Sequence, residues 1–116
     1  MNTVKLNCTL NFAASHFLTK YKGKCENLHG HNYKLVITIE DEIKENGLAM
    51  DFKDIKQIAE EKVINTLDHA HLNEIIDNPS AENISIWIWN KLKNDLPLKK
   101  VTIFETEDYY CEYEGK

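Results

Sequence analysis

One short segment of the chain combines a thiol with two imidazoles, in the order Cys25, His29 and His31. Thiolate and imidazole are both zinc ligands, and a thiolate can also act as a nucleophile or base. The two histidines open an alternating apolar run that predicts a β-strand, and residues two apart on a strand share a face. Their Cα atoms would lie about 6.5 Å apart, which lets both rings reach one metal ion.

A third ligand must come from another part of the chain, because two imidazoles do not hold a zinc ion. His16 follows a second alternating run, whose apolar members are Leu6, Cys8, Leu10 and Phe12. Three histidines without a fourth protein ligand would leave one position open, as in catalytic zinc sites. The alternative is a polar strand start at His29 and His31 and a loop residue at His16, because an isolated His-x-His pair is a weak signal.

An aspartate directly precedes a histidine at Asp68-His69, between two predicted helices. Histidine titrates near neutral pH and is suited to general base catalysis. If His69 lies near Cys25 and Asp68 orients its ring, the three residues have the arrangement of an activated thiol. The alternative is that Asp68 caps a helix end and His69 packs locally.

Glu105 is a carboxylate at a position where the strand pattern predicts an apolar side chain, since it has the parity of Val101 and Ile103. A buried carboxylate needs a partner. A guanidinium, or the N–H groups of a 2-amino-4-oxo pyrimidine ring, would match it in a bidentate way. The alternative is that the strand has reached solvent by residue 105.

Four strands and two helices are predicted to position these residues. Asp51 caps a first helix, and a second begins after Pro79 with Ser80 as its cap. Two strands precede the helices and two follow them, at residues 101–106 and 109–113. The prediction is an α+β fold of order ββααββ, with both helices on one face of a four-stranded antiparallel sheet. Free sheet edges favour pairing between copies, which predicts a symmetric homo-oligomer with sites near subunit boundaries.

The composition of the 116 residues predicts a single domain, residues 1–116, with 42% apolar and 28% charged side chains. The net charge of −5 argues against a nucleic-acid partner. The sequence shows neither a leader peptide nor an apolar run that could span a membrane, which predicts a cytoplasmic protein. Cys8 and Cys111 fall in strand patterns and are interpreted as small structural side chains.

The loop before Cys25 carries three lysines, Lys20, Lys22 and Lys24. Their local positive charge would steer a phosphorylated substrate toward the thiol. The alternative is an ordinary solvated surface loop.

Several separate motifs closely resemble the family of 6-pyruvoyltetrahydropterin synthase and 6-carboxytetrahydropterin synthase. In chain order they are Phe12-Ala13-Ala14 leading to His16, residues 25–33, Met50-Asp51-Phe52, Leu67-Asp68-His69 with Leu72-Asn73, Pro79-Ser80-Ala81-Glu82-Asn83, and Glu105-Thr106. The resemblance covers nearly the whole chain. It implies the tunnelling fold (T-fold), with trimers stacked into a homohexamer around an oligomeric barrel.

The resemblance also implies the roles of the residues singled out above. It implies that 7,8-dihydroneopterin triphosphate is the substrate. The implied zinc ligands are His16, His29 and His31, the implied proton-transfer trio is Cys25, Asp68 and His69, and the implied anchor of the pterin ring is Glu105.

The spacing of Cys25, four residues before His29, resembles the members that make the queuosine precursor. It favours 6-carboxytetrahydropterin synthase, a carbon–carbon lyase that releases acetaldehyde and triphosphate, over the pyruvoyl-forming type, where the spacing is longer. Glu26 resembles a variant in which glutamate replaces the cysteine and the product is 6-hydroxymethyldihydropterin, so Glu26 is an alternative base. A non-catalytic zinc- or pterin-binding assembly module is an alternative of another class.

One further feature departs from the relatives. His16 follows Ala13-Ala14-Ser15, one residue more than the Ala-Ala-His found in many of them. The extra residue predicts either a β-bulge or a shifted ligand.

Overall fold

Two long antiparallel strands form the centre of the sheet in the computed structural model, which describes residues 2–19 and 27–116. They are β1, Thr3–His16, and β2, His29–Glu42. Their register runs without interruption from Thr3 opposite Glu42 to His16 opposite His29. The predicted bulge is therefore absent from this pair. Apolar side chains alternate with polar ones, so one face joins the core and the other stays polar.

The first helical segment begins at the predicted cap, where the Asp51 Oδ1 accepts a hydrogen bond from Lys53 N at 2.9 Å. It consists of α1 (Phe52–Ala59), a π-helical turn (Glu60–Ile64) and α2 (Asn65–Leu67). Its fully buried side chains recur every fourth residue: Ile55, Ala59, Val63 and Leu67. In a regular α-helix this spacing drifts by about 40° per step. The wider π-helical turn offsets that drift and keeps all four against the sheet.

The second predicted helix is α3, Ala81–Leu92. Its predicted cap is confirmed, because the Ser80 Oγ accepts a hydrogen bond from Asn83 N at 3.1 Å. Ile84, Ile88 and Leu92 are fully buried along one side. The apolar faces of both helical segments and of the sheet thus share one core.

Within the described residues, the sheet has five strands rather than the predicted four. β4 (Leu98–Phe104) and β5 (Tyr110–Tyr113) form an antiparallel hairpin beside β2. The additional strand, β3 (Ala70–His71), pairs in parallel with β1 at Ala14 and Ser15. The order across the sheet is β3-β1-β2-β4-β5. Two residues are too few to show a period-2 pattern, so only the long-range pairing reveals β3.

Cys8 and Cys111 are free, half-buried thiols. Burial raises the pKa of the Cys8 thiol, which keeps it in the unreactive protonated form. This supports the structural interpretation of Cys8. Within the described ranges, no helix is both long and apolar enough to cross a membrane.

Candidate metal centre and active site

The structure brings the three predicted histidines together and adds Glu105 to them. One ligand atom from each of His16, His29, His31 and Glu105 lies within 4.8 Å of every other. Strand pairing explains the group, because His16 ends β1 directly opposite the start of β2 at His29. β4 pairs on the other side of β2, and Glu105 follows its last residue. Three neighbouring strands therefore supply four ligand atoms to one place.

Hydrogen bonds to backbone carbonyls determine the tautomers of two of these rings. The His16 Nδ1 lies 2.7 Å from the Pro79 oxygen, and the His29 Nδ1 lies 2.8 Å from the Asn27 oxygen. A carbonyl can only accept, so each Nδ1 carries a hydrogen and each neutral ring has its lone pair on Nε2. The two Nε2 atoms face each other at 3.1 Å. Two lone pairs so placed repel unless a proton or a metal ion lies between them.

The spacing of the ligand atoms fits a small transition-metal ion. Two ligand atoms of a tetrahedral zinc, each about 2.0–2.1 Å from the metal, lie about 3.3 Å apart. The two Nε2 atoms are 3.1 Å apart, and the His31 Nε2 is 3.3 Å from the Glu105 Oε1. His16 is only 1% exposed, so water has little access to that side of the site. Three imidazoles and a carboxylate are donors that zinc accepts.

His16 keeps its place in the strand register despite the extra residue before it. Ser15 is paired with Gly30 in the continuous register, so the strand reaches His16 on the same face as Ala14 and Phe12. His16 is therefore in register and its ring contacts both other histidines, at ring-centroid distances of 4.6 and 5.2 Å. Neither a bulge nor a displaced ligand is found.

Asp68 and His69 are tied to the backbone of β1. The Asp68 Oδ1 accepts from Ala13 N at 3.0 Å, and His69 N donates to the Ala13 oxygen at 2.6 Å. His69 has a φ of 60°, a left-handed conformation that is uncommon outside glycine. Its Nε2 is 3.6 Å from the Asp68 Oδ2, and its side chain is 84% exposed. The pair thus presents an accessible imidazole beside a carboxylate that the backbone of β1 holds in place.

The His69 side chain lies outside the group formed by the three histidines and Glu105. Within the described residues, only those four contribute ligand atoms to the group. His69 lines a cavity of about 400 Å³ together with Ser15, Asn32 and His31, so this cavity borders one histidine of the group. Cys25, Glu26 and the three loop lysines lie outside the described residues.

A second depression borders Glu105 on the helix side. It has a volume of about 290 Å³ and is lined by Ala81, Glu82, Glu105, Tyr109, Tyr110 and Cys111. It offers two carboxylates and two aromatic rings to a ligand. Glu82 has no role predicted from the sequence, although it lies in one of the motifs that carry the resemblance.

Residues 5–116 match the sequence model of the family described as 6-pyruvoyl tetrahydropterin synthase. The chain belongs to this family. A relative from Archaeoglobus fulgidus, a putative 6-carboxy-5,6,7,8-tetrahydropterin synthase, is 39% identical over 108 residues, which cover 92% of each chain. A dihydroneopterin monophosphate aldolase from Pyrococcus furiosus is 40% identical over 93 residues, which cover 77% of this chain and 80% of the relative.

A solved structure supports the same assignment. The 6-pyruvoyl tetrahydropterin synthase of Caenorhabditis elegans superposes with a TM-score of 0.88 and 29% identity, covering 100% of this chain and 98% of that one. The predicted α+β tunnelling fold is thereby confirmed, with five strands instead of four. As a member of the 6-pyruvoyl tetrahydropterin synthase family, the chain is placed among enzymes that convert pterins.

Proposed function

We propose that the protein is a zinc-dependent 6-carboxy-5,6,7,8-tetrahydropterin synthase. It converts 7,8-dihydroneopterin triphosphate to 6-carboxytetrahydropterin, with release of acetaldehyde and triphosphate, for queuosine and 7-deazaguanine biosynthesis in the cytoplasm. The observation that carries the proposal is the pair of facing Nε2 atoms of His16 and His29, 3.1 Å apart, with His31 and Glu105 beside them. The similarity to the Archaeoglobus relative and the position of Cys25 support the carboxy-forming reaction.

Each residue of the site has a distinct task in this proposal. His16, His29 and His31 hold the zinc ion, which supplies Lewis-acid polarisation of substrate oxygens when bound. Cys25 removes a proton from the hydroxylated side chain of the substrate. His69 donates or accepts protons at its Nδ1, the ring nitrogen that does not face Asp68, and this role needs a ring held in one orientation.

Other side chains bind and orient the substrate. Asp68 holds the ring of His69, since its Oδ2 lies 3.6 Å from the imidazole Nε2. Glu105 accepts hydrogen bonds from the amino edge of the pterin, which enters the depression shared with Glu82. Lys20, Lys22 and Lys24 attract the triphosphate. The substrate is then held at both ends while its side chain reacts.

A second copy of the chain completes the site in this proposal. His69 is not part of the histidine group of its own protomer, and its side chain is 84% exposed. A neighbouring subunit can therefore present its own Asp68 and His69 to that group. The expected assembly is a homohexamer, a dimer of trimers, with sites at subunit boundaries.

Mixing two inactive variants tests this shared site. His16→Ala removes a metal ligand and His69→Ala removes the proton carrier, so each protein alone is expected to be inactive. After joint refolding, about one quarter of the boundaries would pair an intact His16 with an intact His69 from a different subunit. Recovery of activity on mixing is the expected result, measured as product formation per subunit. If the mixture stays as inactive as its components, both groups must belong to one protomer.

Two other products remain as alternatives with specific support. The similarity to the Pyrococcus aldolase favours a 6-hydroxymethyldihydropterin-forming reaction with Glu26 as base. The match to the Caenorhabditis structure supports a 6-pyruvoyltetrahydropterin-forming one. A zinc- or pterin-binding assembly module without turnover is the alternative of another class.

Product identification decides among these functions. The purified, zinc-loaded protein is incubated with 7,8-dihydroneopterin triphosphate, and the pterins are identified by mass spectrometry. We expect 6-carboxytetrahydropterin together with acetaldehyde. A hydroxymethyl or pyruvoyl product would replace the proposal by one of its alternatives. If the zinc-loaded protein forms no product, the non-catalytic binding module would be the favoured function.

A further inference from the structure

The backbone of Glu105 is fixed at the point where the sheet reaches the histidines. β4 ends at Phe104, and Glu105 N donates to the Tyr109 oxygen at 3.0 Å, which closes the turn into β5. From this position the Glu105 Oε1 lies 3.3 Å from the His31 Nε2. The carboxylate therefore points into the histidine group, although its side chain is 33% exposed.

Three imidazoles and this carboxylate are enough to complete a four-coordinate site. The His16–His29 Nε2 distance of 3.1 Å and the His31 Nε2–Glu105 Oε1 distance of 3.3 Å match the separation of about 3.3 Å expected between neighbouring ligands of a tetrahedral zinc. Four protein ligands are typical of closed, structural zinc sites, whereas catalytic sites keep one position open. If chemistry takes place at this metal, one of the four ligands must leave it.

Glu105 is the ligand best able to leave. The His16 and His29 rings are each held by a hydrogen bond from Nδ1 to a backbone carbonyl, and His16 is fully buried. The His31 side chain is 18% exposed, against 33% for Glu105. Glu105 alone among the four also lines the depression beside α3. Its carboxylate can turn from the metal to a ligand in that depression.

We infer that Glu105 is the fourth metal ligand in the substrate-free protein and that pterin binding removes it from the metal. This inference rests on the proposed function, because the pterin supplies the N–H donors that compete for the carboxylate. The exchange makes and breaks only coordination and hydrogen bonds. It links recognition of the ring to the opening of a coordination position, so that the metal becomes reactive only when a pterin is present.

Metal affinity is the first test. Zinc is replaced by Co²⁺, whose visible absorption reports its ligands, and affinity is measured by competition with a chelator. Loss of a carboxylate ligand in Glu105→Gln is expected to weaken Co²⁺ binding by about 10- to 100-fold and to alter the absorption bands. Asp108→Asn is the matched control, because it removes an exposed carboxylate from the same turn. It should change neither quantity. Equal affinity and equal spectra for Glu105→Gln and wild type would overturn the inference.

The exchange itself is tested with 7,8-dihydropterin, which has the ring donors but no side chain that could reach the metal. Its binding is followed by pterin fluorescence. Saturation should shift the Co²⁺ spectrum of wild type toward that of Glu105→Gln and leave the spectrum of the variant unchanged. Binding without a shift in wild type contradicts the exchange, and this arm stands even if the variant does not fold.

These results separate the inference from the function on which it rests. Neither measurement requires turnover. A metal-loaded protein that forms no product but shows both spectral effects would refute the synthase and retain the ligand assignment. Product formation with no effect of Glu105→Gln on Co²⁺ affinity or spectrum would support the synthase and refute the assignment of Glu105 as a metal ligand.

Discussion

Replacing His16 by alanine is expected to lower zinc affinity by more than about 100-fold, since losing even an outer hydrogen-bond partner of a metal ligand costs 10- to 100-fold. The variant removes the Nε2 atom that faces the His29 Nε2 at 3.1 Å. The remaining ligands are then too few for tight binding. Chelator competition measures the affinity, and the product assay should show that turnover is lost with it.

Two comparisons make the His16 result specific. His69→Ala also removes one imidazole, but the His69 side chain is 84% exposed and lies outside the histidine group. Its zinc affinity should equal that of wild type. Because His16 is buried, truncation also leaves a cavity, so His16→Asn is tested as a variant of closer volume. Wild-type zinc affinity in both His16 variants would show that the histidine group does not bind the metal.

Cys25→Ala is expected to reduce turnover by about 10²- to 10⁴-fold, the usual contribution of a general acid or base. In the proposed mechanism the thiol removes a proton and makes no contact needed for zinc or for the pterin ring. Zinc affinity and dihydropterin binding should therefore stay at wild-type levels. Steady-state kinetics should show the loss in kcat, with little change in KM.

Glu26→Gln is the matched comparison, because it neutralises the neighbouring candidate base. Under the 6-carboxytetrahydropterin assignment it should retain most of the activity. The opposite pattern, in which Glu26→Gln is inactive and Cys25→Ala is active, would assign the chemistry to Glu26 and favour the hydroxymethyl product. A binding module would give no turnover in any of the three proteins.

Strand periodicity predicted much of the candidate metal-binding group. Alternation along β2 places His29 and His31 on one face, and the same argument gave Glu105 the parity of the buried Ile103. It did not predict that Glu105 reaches the histidines. That contact depends on how β4 is registered against β2, with Ile103 opposite Leu35. Nothing local to either strand determines a register between segments so far apart in the chain.

The predicted proton-transfer trio shows the other limit. The Asp68-His69 pair is visible in the sequence, and in the structure the Asp68 carboxylate lies 3.6 Å from the His69 ring. Where the pair lies relative to the histidine group depends on β3, which is only two residues long and pairs in parallel with β1. A segment of that length has no period to detect. The position of His69 outside the histidine group of its own protomer was therefore not predictable.

The sequence by itself determined the properties that depend on neighbours along the chain. These are the caps at Asp51 and Ser80, the buried stripes of the helices and the faces on which strand residues lie. Only the tertiary structure decided which distant groups meet. Two contacts join residues far apart in sequence. They are the hydrogen bond from the His16 Nδ1 to the Pro79 oxygen and the contact between Glu105 and His31. Their geometry depends on strand register and helix packing, because the whole core must close before those atoms come within bonding distance.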